Sequence, residues 1–188
     1  MKRGFRLLRD GVTAFALLAF IGLIALKLQS ARDAEMNGPF VIVDGDTLAA
    51  DGSRLRLVGL DAPERGQSCG EGEKVWACGE VARTLLQDML AGRQVQCRGH
   101  RRDRYGRLLV TCRAGGTDPA AALVRRGLAV STGGYDTEEQ AARLEKTGIW
   151  SGPFDRPADW RHREGMMVEA PSWLDDIAFR LGLREAAP

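Results

Sequence analysis

The sequence predicts an α+β, mainly β domain: a five-stranded OB-fold barrel flanked by three helices and preceded by a hydrophobic N-terminal helix. Two observations lead to this prediction. Short segments alternate apolar and polar residues between Gly- and Asp-rich turns, whereas three longer segments repeat their apolar residues at helical spacing. The order is three strands, a helix, two strands, a helix, a short strand and a helix. A curled sheet that closes on itself, with helices beside it, is the economical packing of this order.

The strands are predicted from β-branched and aromatic residues bounded by turn signals. They cover residues 40–43, 47–50, 54–60, 94–100, 107–113 and, as a short strand, 128–131. Asp51-Gly52 is a strong hairpin-turn signal, and a second turn is predicted around 103–106. Residues 61–79 form a long, Gly-rich loop, and loops of this length in compact domains are usually functional.

The helices are predicted from helical spacing together with capping residues. They cover residues 80–90, 119–126 and 138–147, and a glycine follows each of them. Asp118 is the predicted N-cap of the second helix, whose first position is Pro119, and Thr137 is the predicted N-cap of the third.

The N-terminal segment is predicted to be a membrane anchor. Residues 1–10 are basic, and residues 11–26 carry no charge; the stem of Lys27 and Leu28 extend this run to 11–28. The run approaches the roughly 20 residues that a spanning helix needs. Small residues at a cleavage site fit poorly near 29–34, so we expect an uncleaved signal anchor rather than a cleaved signal peptide. The basic flank should stay in the cytoplasm, which places the rest of the chain outside.

The chain is therefore predicted to have five parts. These are a cytoplasmic flank (1–10), the anchor (11–28), a linker (29–37), the barrel domain (38–152) and a C-terminal extension (153–188) with a short amphipathic helix. The apolar residues of that helix are predicted to pack on the domain, with binding to a membrane surface or a partner as the alternative.

The charge is unevenly distributed along the chain. Residues 1–34 hold six of the 27 basic and two of the 25 acidic residues, so the remainder, with 21 basic and 23 acidic residues, has a net charge of −2. Binding to nucleic acid would therefore need a local basic patch. One exists, formed by Arg98, His100, Arg101, Arg102, Arg104 and Arg107. On charge alone, this patch is more typical of a solvated hairpin.

Four cysteines follow the apolar run, and export would place them in an oxidising compartment. Four cysteines allow three pairings. Cys97 and Cys112 fall opposite each other in the predicted hairpin, and Cys69 and Cys78 lie in one loop, so we expect disulfides 69–78 and 97–112. A zinc site is the alternative, but the sequence has no close CxxC pair and only two histidines.

Three short clusters carry chemically useful side chains: Asp-Gly-Asp-Thr at 44–47, Arg56 followed by Asp-Ala-Pro-Glu at 61–64, and Asp-Arg-Tyr-Gly-Arg at 103–107. Each alone is typical of a turn or a strand exit. Together they supply what phosphodiester hydrolysis needs, which is a base for the attacking water and positive charge around the phosphate.

The residue types suggest how the roles would be divided. Glu64 is the candidate base, and Arg56 and Arg107 can each hold phosphate oxygens with a two-pronged guanidinium. Asp46 and Asp61 are hard oxygen ligands that suit Ca²⁺.

These clusters resemble the staphylococcal nuclease family, and in particular its exported bacterial members. The resemblance runs from about Phe40 to Trp150. The matching stretches are VDGDT at 43–47, RLVGLDAPE at 56–64, DRYGR at 103–107, ALVRRGLA at 122–129 and GIW at 148–150. The resemblance implies a monomeric, calcium-dependent nuclease that hydrolyses DNA and RNA and has no protein partner. It also implies that the N-terminal helix tethers the nuclease domain to the membrane in the bacterial cell envelope, with the domain periplasmic or extracellular.

The resemblance also implies residue roles. Catalysis is implied for Arg56, Glu64 and Arg107. Calcium binding is implied for Asp46, Asp61 and the backbone carbonyl of Ala62, with Asp44 and Thr47 in contacts next to the metal. Nucleotide binding is implied for Tyr105 and Arg104. The chain departs from the type member in having Ala62 in place of a threonine, and in lacking tyrosines at 129–132, where the nearest is Tyr135.

The tail and the rival functions complete the prediction. Pro153, Pro157, Trp160 and Arg161 resemble a docking segment that follows the last helix in bacterial relatives. The main alternative function is a non-catalytic OB-fold module that binds nucleic acid or protein, and a second is a structural protein of the envelope. The complete set of acidic and arginine residues favours the nuclease over both.

Overall fold

The computed structural model describes residues 11–24 and 34–166. The chain divides into two compact units, residues 1–34 and 35–188. In the first unit, residues 11–24 are helical and exposed. None of the helices within the described residues is both long and apolar enough to cross a membrane. The predicted anchor spans 11–28, and its last four residues, like the basic flank, lie outside the described residues.

The second unit is built on two β-sheets. The larger has six strands in the order β1-β6-β7-β4-β3-β2, and the smaller pairs β5 with β8. The strands are β1 Ala34–Asn37, β2 Val41–Ile42, β3 Thr47–Ala50, β4 Ser53–Leu57, β5 Leu60–Asp61, β6 Val95–Arg102, β7 Leu108–Ala114 and β8 Val130–Ser131. β4 and β7 pair in parallel, while β2–β3, β3–β4, β6–β7 and β5–β8 are antiparallel. The predicted α+β, mainly β fold is confirmed.

Four α-helices lie in the described part of this unit: α1 Cys78–Leu90, α2 Pro119–Arg125, α3 Asp136–Leu144 and α4 Pro157–Arg163. Short 3₁₀ helices occupy Gly72–Lys74 and Gly148–Ser151. The three predicted helices are present. Asp118 caps α2 as expected, because its Oδ1 accepts hydrogen bonds from the amides of the second and third helical residues. The fourth helix lies in the predicted C-terminal extension and was not predicted as a helix; the amphipathic helix expected further on lies outside the described residues.

Some element boundaries differ from the prediction. α3 begins at Asp136, before the predicted cap at Thr137, and ends early because Lys146 adopts φ 52°. The predicted strand 54–60 is interrupted at Gly59, whose φ of 84° turns the chain so that β5 pairs with β8. The segment predicted as a linker, 29–37, contains β1, which adds a strand to the sheet beside β6.

The core is a continuous layer of leucine and valine side chains between the sheet and the helices. Its fully buried members include Leu48, Leu55, Leu57, Leu60, Leu86, Val110, Leu123 and Val124. Both predicted disulfides are present. Cys97–Cys112 joins directly paired residues of β6 and β7, and Cys69–Cys78 joins the long loop to the first residue of α1. The second bridge therefore ties the loop that carries Glu64 to a core helix.

Candidate active site

Strand pairing brings the first two predicted clusters together. Thr47 pairs with Arg56 across β3 and β4, so Asp46, one residue before β3, lies beside the Arg56 side chain. Asp61 ends β5. Gly45 is needed here, because a Cβ atom at that position would come within 2.7 Å of the Ala62 Cβ. The close approach of these two turns is what makes a compact site possible.

Arg56 links the two predicted calcium ligands. Its Nη1 lies 2.8 Å from Asp46 Oδ2, and its Nη2 lies 2.9 Å from Asp61 Oδ1. Asp46 also accepts hydrogen bonds from the Thr47 hydroxyl, at 2.9 Å, and from the Ala62 amide, at 3.2 Å. Thr47 therefore contacts a predicted metal ligand directly, and its role next to a metal stays a prediction.

Asp44 and the backbone of Glu64 are fixed by local contacts. The Asp46 amide donates to Asp44 Oδ1 at 3.1 Å, which closes the turn before β3. The Glu64 amide donates to Gln67 Oε1 at 3.2 Å, and the Gln67 amide donates back to the Glu64 carbonyl at 2.7 Å. Gly79, in the first turn of α1, packs so tightly that a Cβ atom there would lie 1.7 Å from the Glu64 carbonyl oxygen.

The Glu64 carboxylate faces a guanidinium that sequence reasoning did not assign to the site. Arg161 Nη1 donates to Glu64 Oε1 at 2.8 Å and to Asp61 Oδ1 at 3.0 Å, and its Nη2 donates to Asp61 Oδ2 at 3.0 Å. The Arg161 residue is only 5% exposed. The sequence contains one indication of a role for Arg161: the proline- and tryptophan-containing segment around it, which suggested docking on the domain and not a place in the active site.

Burial changes the acidity of two of these carboxyl groups. Loss of solvent around Asp46 raises its pKa to about 7, against the lowering effect of Arg56, and the negative charges of Asp44 and Asp61 add to the rise. Burial also raises the pKa of Glu64, against the lowering effect of its hydrogen bond with Arg161. A raised pKa brings a carboxylate closer to neutral pH, where a general base works best.

The donor atoms and the net charge of the cluster show whether the predicted ligands suit a metal ion. Among the described residues, no group of three or more His, Cys, Asp or Glu side chains is arranged to hold a metal ion. A metal would thus rely on two carboxylates, backbone oxygen and water, which are the hard oxygen donors that Ca²⁺ accepts. The cluster has a formal charge of −2 from four carboxylates and two guanidinium groups: Asp44, Asp46, Asp61, Glu64, Arg56 and Arg161. A divalent cation would neutralise it, so the residues present fit the group.

The third predicted cluster forms the tip of the β6–β7 hairpin. Arg107 Nε lies 2.7 Å from Asp103 Oδ2, and Asp103 Oδ1 accepts the amides of Tyr105 and Arg107 at 2.9 Å. The guanidinium groups of Arg104 and Arg107 lie 4.9 and 5.6 Å from the centre of the Tyr105 ring. Leu108, the next residue, pairs with Leu55 of β4, so this tip adjoins the strand that carries Arg56.

The basic patch follows the same hairpin. Alternate residues of β6 are exposed on one face, namely Arg98, His100 and Arg102, and Arg104 is exposed at the tip. Arg102 Nη1 donates to the Gly106 carbonyl at 2.6 Å, which ties the patch to the turn. Tyr135, the nearest tyrosine to the departure at 129–132, donates its hydroxyl to Asp118 at 3.0 Å and therefore supports the cap of α2.

Comparison with known proteins identifies relatives of this chain. The family model described as staphylococcal nuclease homologue matches residues 54–152. The chain is 35% identical over 142 residues to the succinoglycan biosynthesis protein ExoI of Rhizobium meliloti (strain 1021), covering 69% of this chain and 74% of that protein. It is 33% identical over 144 residues to an uncharacterized endonuclease of Escherichia coli O157:H7, covering 70% and 88%. It is 32% identical over 169 residues to a micrococcal nuclease of Shigella flexneri, covering 78% and 92%.

Proposed function

Because this chain belongs to the family of staphylococcal nuclease homologues and is therefore a hydrolytic nuclease, we propose that it cleaves phosphodiester bonds of both DNA and RNA and uses calcium to do so. One observation carries the proposal: Arg56 bridges Asp46 and Asp61 beside the carboxylate of Glu64. This contact pattern supports the proposal, because it groups the side chains that we propose as the base, the phosphate-binding group and two metal ligands.

Glu64 is proposed to align the attacking water and take its proton. Its side chain is 24% exposed, so water can reach the carboxylate, whereas Asp46 and Asp61 are almost fully covered. This difference in solvent exposure distinguishes the proposed base from the two proposed metal ligands. The hydrogen bond from Arg161 favours the ionised form of Glu64, which is the form that accepts a proton.

Arg56 and Arg107 are proposed to hold the phosphate. Arg107 is aimed by Asp103, which fixes its Nε and leaves the guanidinium on the tip beside β4. Arg56 is anchored between two carboxylates, so its position is set before substrate arrives. When bound, calcium would neutralise charge on the phosphate and polarise it toward attack.

Activity on both DNA and RNA follows from which parts of the substrate these groups address. Arginines, a general base and a cation act on the phosphate and on water, which are common to both nucleic acids. The exposed arginines of β6, Arg98 and Arg102, would add contacts to the backbone that carry no sequence information. We therefore expect activity on either polymer, weakened as salt concentration rises.

The decisive experiment compares cleavage of a plasmid and of a long RNA in calcium, in magnesium and in chelator. We expect cleavage of both in calcium, none in chelator, recovery on adding calcium back, and poor activity in magnesium, which demands tighter octahedral geometry. Full activity in chelator would remove the metal from the proposal. Binding without cleavage in every condition would instead identify a non-catalytic binding module.

We further propose that the nuclease domain is exported and held in the bacterial cell envelope by the N-terminal segment. The uncharged run at 11–26 and the two disulfides support this, because disulfides persist in oxidising compartments. Protease added to intact cells with a permeable outer layer should digest the domain, while the first ten residues stay protected. Free thiols at all four cysteines in protein taken from cells would contradict export, and a mature chain lacking residues 1–34 would replace the anchor with a cleaved signal.

A further inference from the structure

The C-terminal segment 153–163, which we call the strap, contacts the site from outside the region matched by the family model. The match ends at residue 152, and α4 begins at Pro157. Arg161 is buried, although the residues that follow it on α4, His162 and Arg163, are exposed. Both Nη atoms of Arg161 reach Asp61, and one of them also reaches Glu64. We propose that the strap completes the active site and that Arg161 is a positioning residue for the catalytic carboxylates.

The charges explain why a cation is needed at this place. Without Arg161, the carboxylates of Asp61 and Glu64 would lie near Asp46 with Arg56 as the remaining guanidinium in the cluster. Like charges in a poorly solvated region repel each other strongly. The two-pronged contact of Arg161 with Asp61, shared with Glu64, sets the distance between the metal-ligand position and the base. Because the Arg161 side chain is only 6% exposed, it acts through these carboxylates and not on the substrate.

The strap also holds the backbone of the base. Gln67 is fully buried; its Oε1 accepts the Glu64 amide, and its Nε2 donates to the Asp155 carbonyl of the strap at 2.8 Å. Nearby, the Gly70 amide donates to the Pro153 carbonyl at 2.8 Å. Glu64 is thus tied to the strap through its side chain and, by way of Gln67, through its main chain.

Stabilisation of the fold alone does not account for an arginine at position 161. A buried ion pair contributes little net stability compared with an apolar side chain of similar volume. The fork geometry and the shared Nη1 instead orient two particular carboxylates, which is what catalysis by an aligned base requires. The inference rests on the proposed function, since it assigns Glu64 the role of the base.

The test is a double-mutant cycle with a matched control. Arg161→Met keeps about the same volume and removes the charge, and Arg125→Met makes the same change at an exposed arginine whose ion pair with Glu145 lies outside the strap and the site. In calcium, under single-turnover conditions, we expect Arg161→Met to slow cleavage about 100-fold, which is the loss expected when a catalytic group is misplaced by about 1 Å. The KM, measured separately in the steady state, should change less than threefold. Arg125→Met should cleave at the wild-type rate.

The second arm of the cycle places Arg161→Met in a Glu64→Gln background. If Arg161 acts through Glu64, the same change should now cost less than about threefold, because the group that it positions no longer works as a base. An equal loss in both backgrounds, or no loss in the wild-type background, would overturn the inference. If Arg161→Met does not fold, Arg161→Lys keeps the charge without the fork and should show about a tenfold loss with the same dependence on Glu64.

A readout without substrate separates this inference from the proposed function. Calcium affinity is measured from the rise in melting temperature as calcium is added. Removing a positive charge that contacts Asp61 should make Arg161→Met bind calcium at least severalfold more tightly while it cleaves more slowly. Wild-type protein that cleaves nothing in calcium would refute the proposed function alone. In that case, an unchanged calcium affinity in Arg161→Met would overturn the role of the strap, and a tighter affinity would support it.

Discussion

Replacing Glu64 with glutamine isolates the chemistry of the carboxylate from its place in the fold. The backbone at residue 64 is fixed by two hydrogen bonds with Gln67 and by the close approach of Gly79, and none of these contacts involves the side chain of Glu64. Glutamine retains an Oε1 atom that can accept from Arg161. The variant should therefore fold with its loop in place and lack only a group that can accept a proton from water.

The expected magnitudes decide between loss of chemistry and loss of structure. An ion pair that becomes a hydrogen bond from a charged guanidinium to a neutral amide costs about 1 kcal/mol, which corresponds to a melting temperature lower by about 2–4 °C. Relief from burying a charged carboxylate offsets part of that cost. Loss of a general base should lower turnover by about 10²–10⁴, or roughly 3–5 kcal/mol of activation free energy. The kinetic effect is thus several times larger than any effect on stability.

The assay is cleavage of a fluorogenic oligonucleotide in calcium, with kcat and KM measured separately and the melting temperature recorded beside them. Glu80→Gln is the matched control, because Glu80 makes an exposed ion pair with Arg65 at 2.7 Å outside the site. We expect the control to match the wild type, and Glu64→Gln to lose kcat with KM nearly unchanged. If Glu64→Gln cleaves at the parental rate, Glu64 is a structural residue of the strand exit and the base lies elsewhere.

Three further predictions follow from the geometry. Burial raises the pKa of Asp46 from 3.8 to about 7 in the folded protein, so stability is lost as pH rises from about 4 to about 7 and is constant above that. The melting temperature in chelator should therefore fall between about pH 4 and about pH 7 and level off at higher pH, and Asp46→Asn should reduce that fall. Gly79→Ala places a methyl group against the Glu64 carbonyl, so we expect a loss of about 1–3 kcal/mol in denaturant unfolding and a lower kcat, whereas wild-type values of both would show that α1 does not hold the loop. Arg107→Lys keeps the charge but loses the planar fork aimed by Asp103, so kcat should drop by about tenfold or more while affinity for a nucleotide, measured by calorimetry, changes less; equal losses in both would place Arg107 in ground-state binding.

Much of the site was predictable because its members lie at turns whose pairing is local. The Asp-Gly signal at 51–52 predicts the β3–β4 hairpin, and that hairpin sets Thr47 opposite Arg56. The cross-strand disulfide between Cys97 and Cys112 was predictable for the same reason. In each case a two-residue period and one short turn determine which side chains meet.

The parts that could not be predicted depend on contacts between distant segments. Arg161 lies 100 residues from Asp61 in sequence, and an arginine in a short helix rich in charged residues is typical of a solvated surface. Gln67 is uncharged and lies in a loop, so its complete burial has no signature in spacing or composition. The break at Gly59 also escaped prediction, because alternation of side chains continues across a residue whose positive φ ends the strand.

The residues of the candidate site extend beyond both ends of the region that the family model matches. The family model matches 54–152, yet Asp46 precedes that region and Arg161 follows it. A protein limited to the matched residues would keep Arg56, Asp61 and Glu64 but lose one predicted metal ligand and the guanidinium that contacts the other. Asp61 would then keep Arg56 as a guanidinium partner, whereas Glu64 would lose its contact with Arg161, and repulsion between the two carboxylates would favour a different arrangement of the loop. The unit that the proposed mechanism requires therefore extends from the turn before β3 to the end of α4.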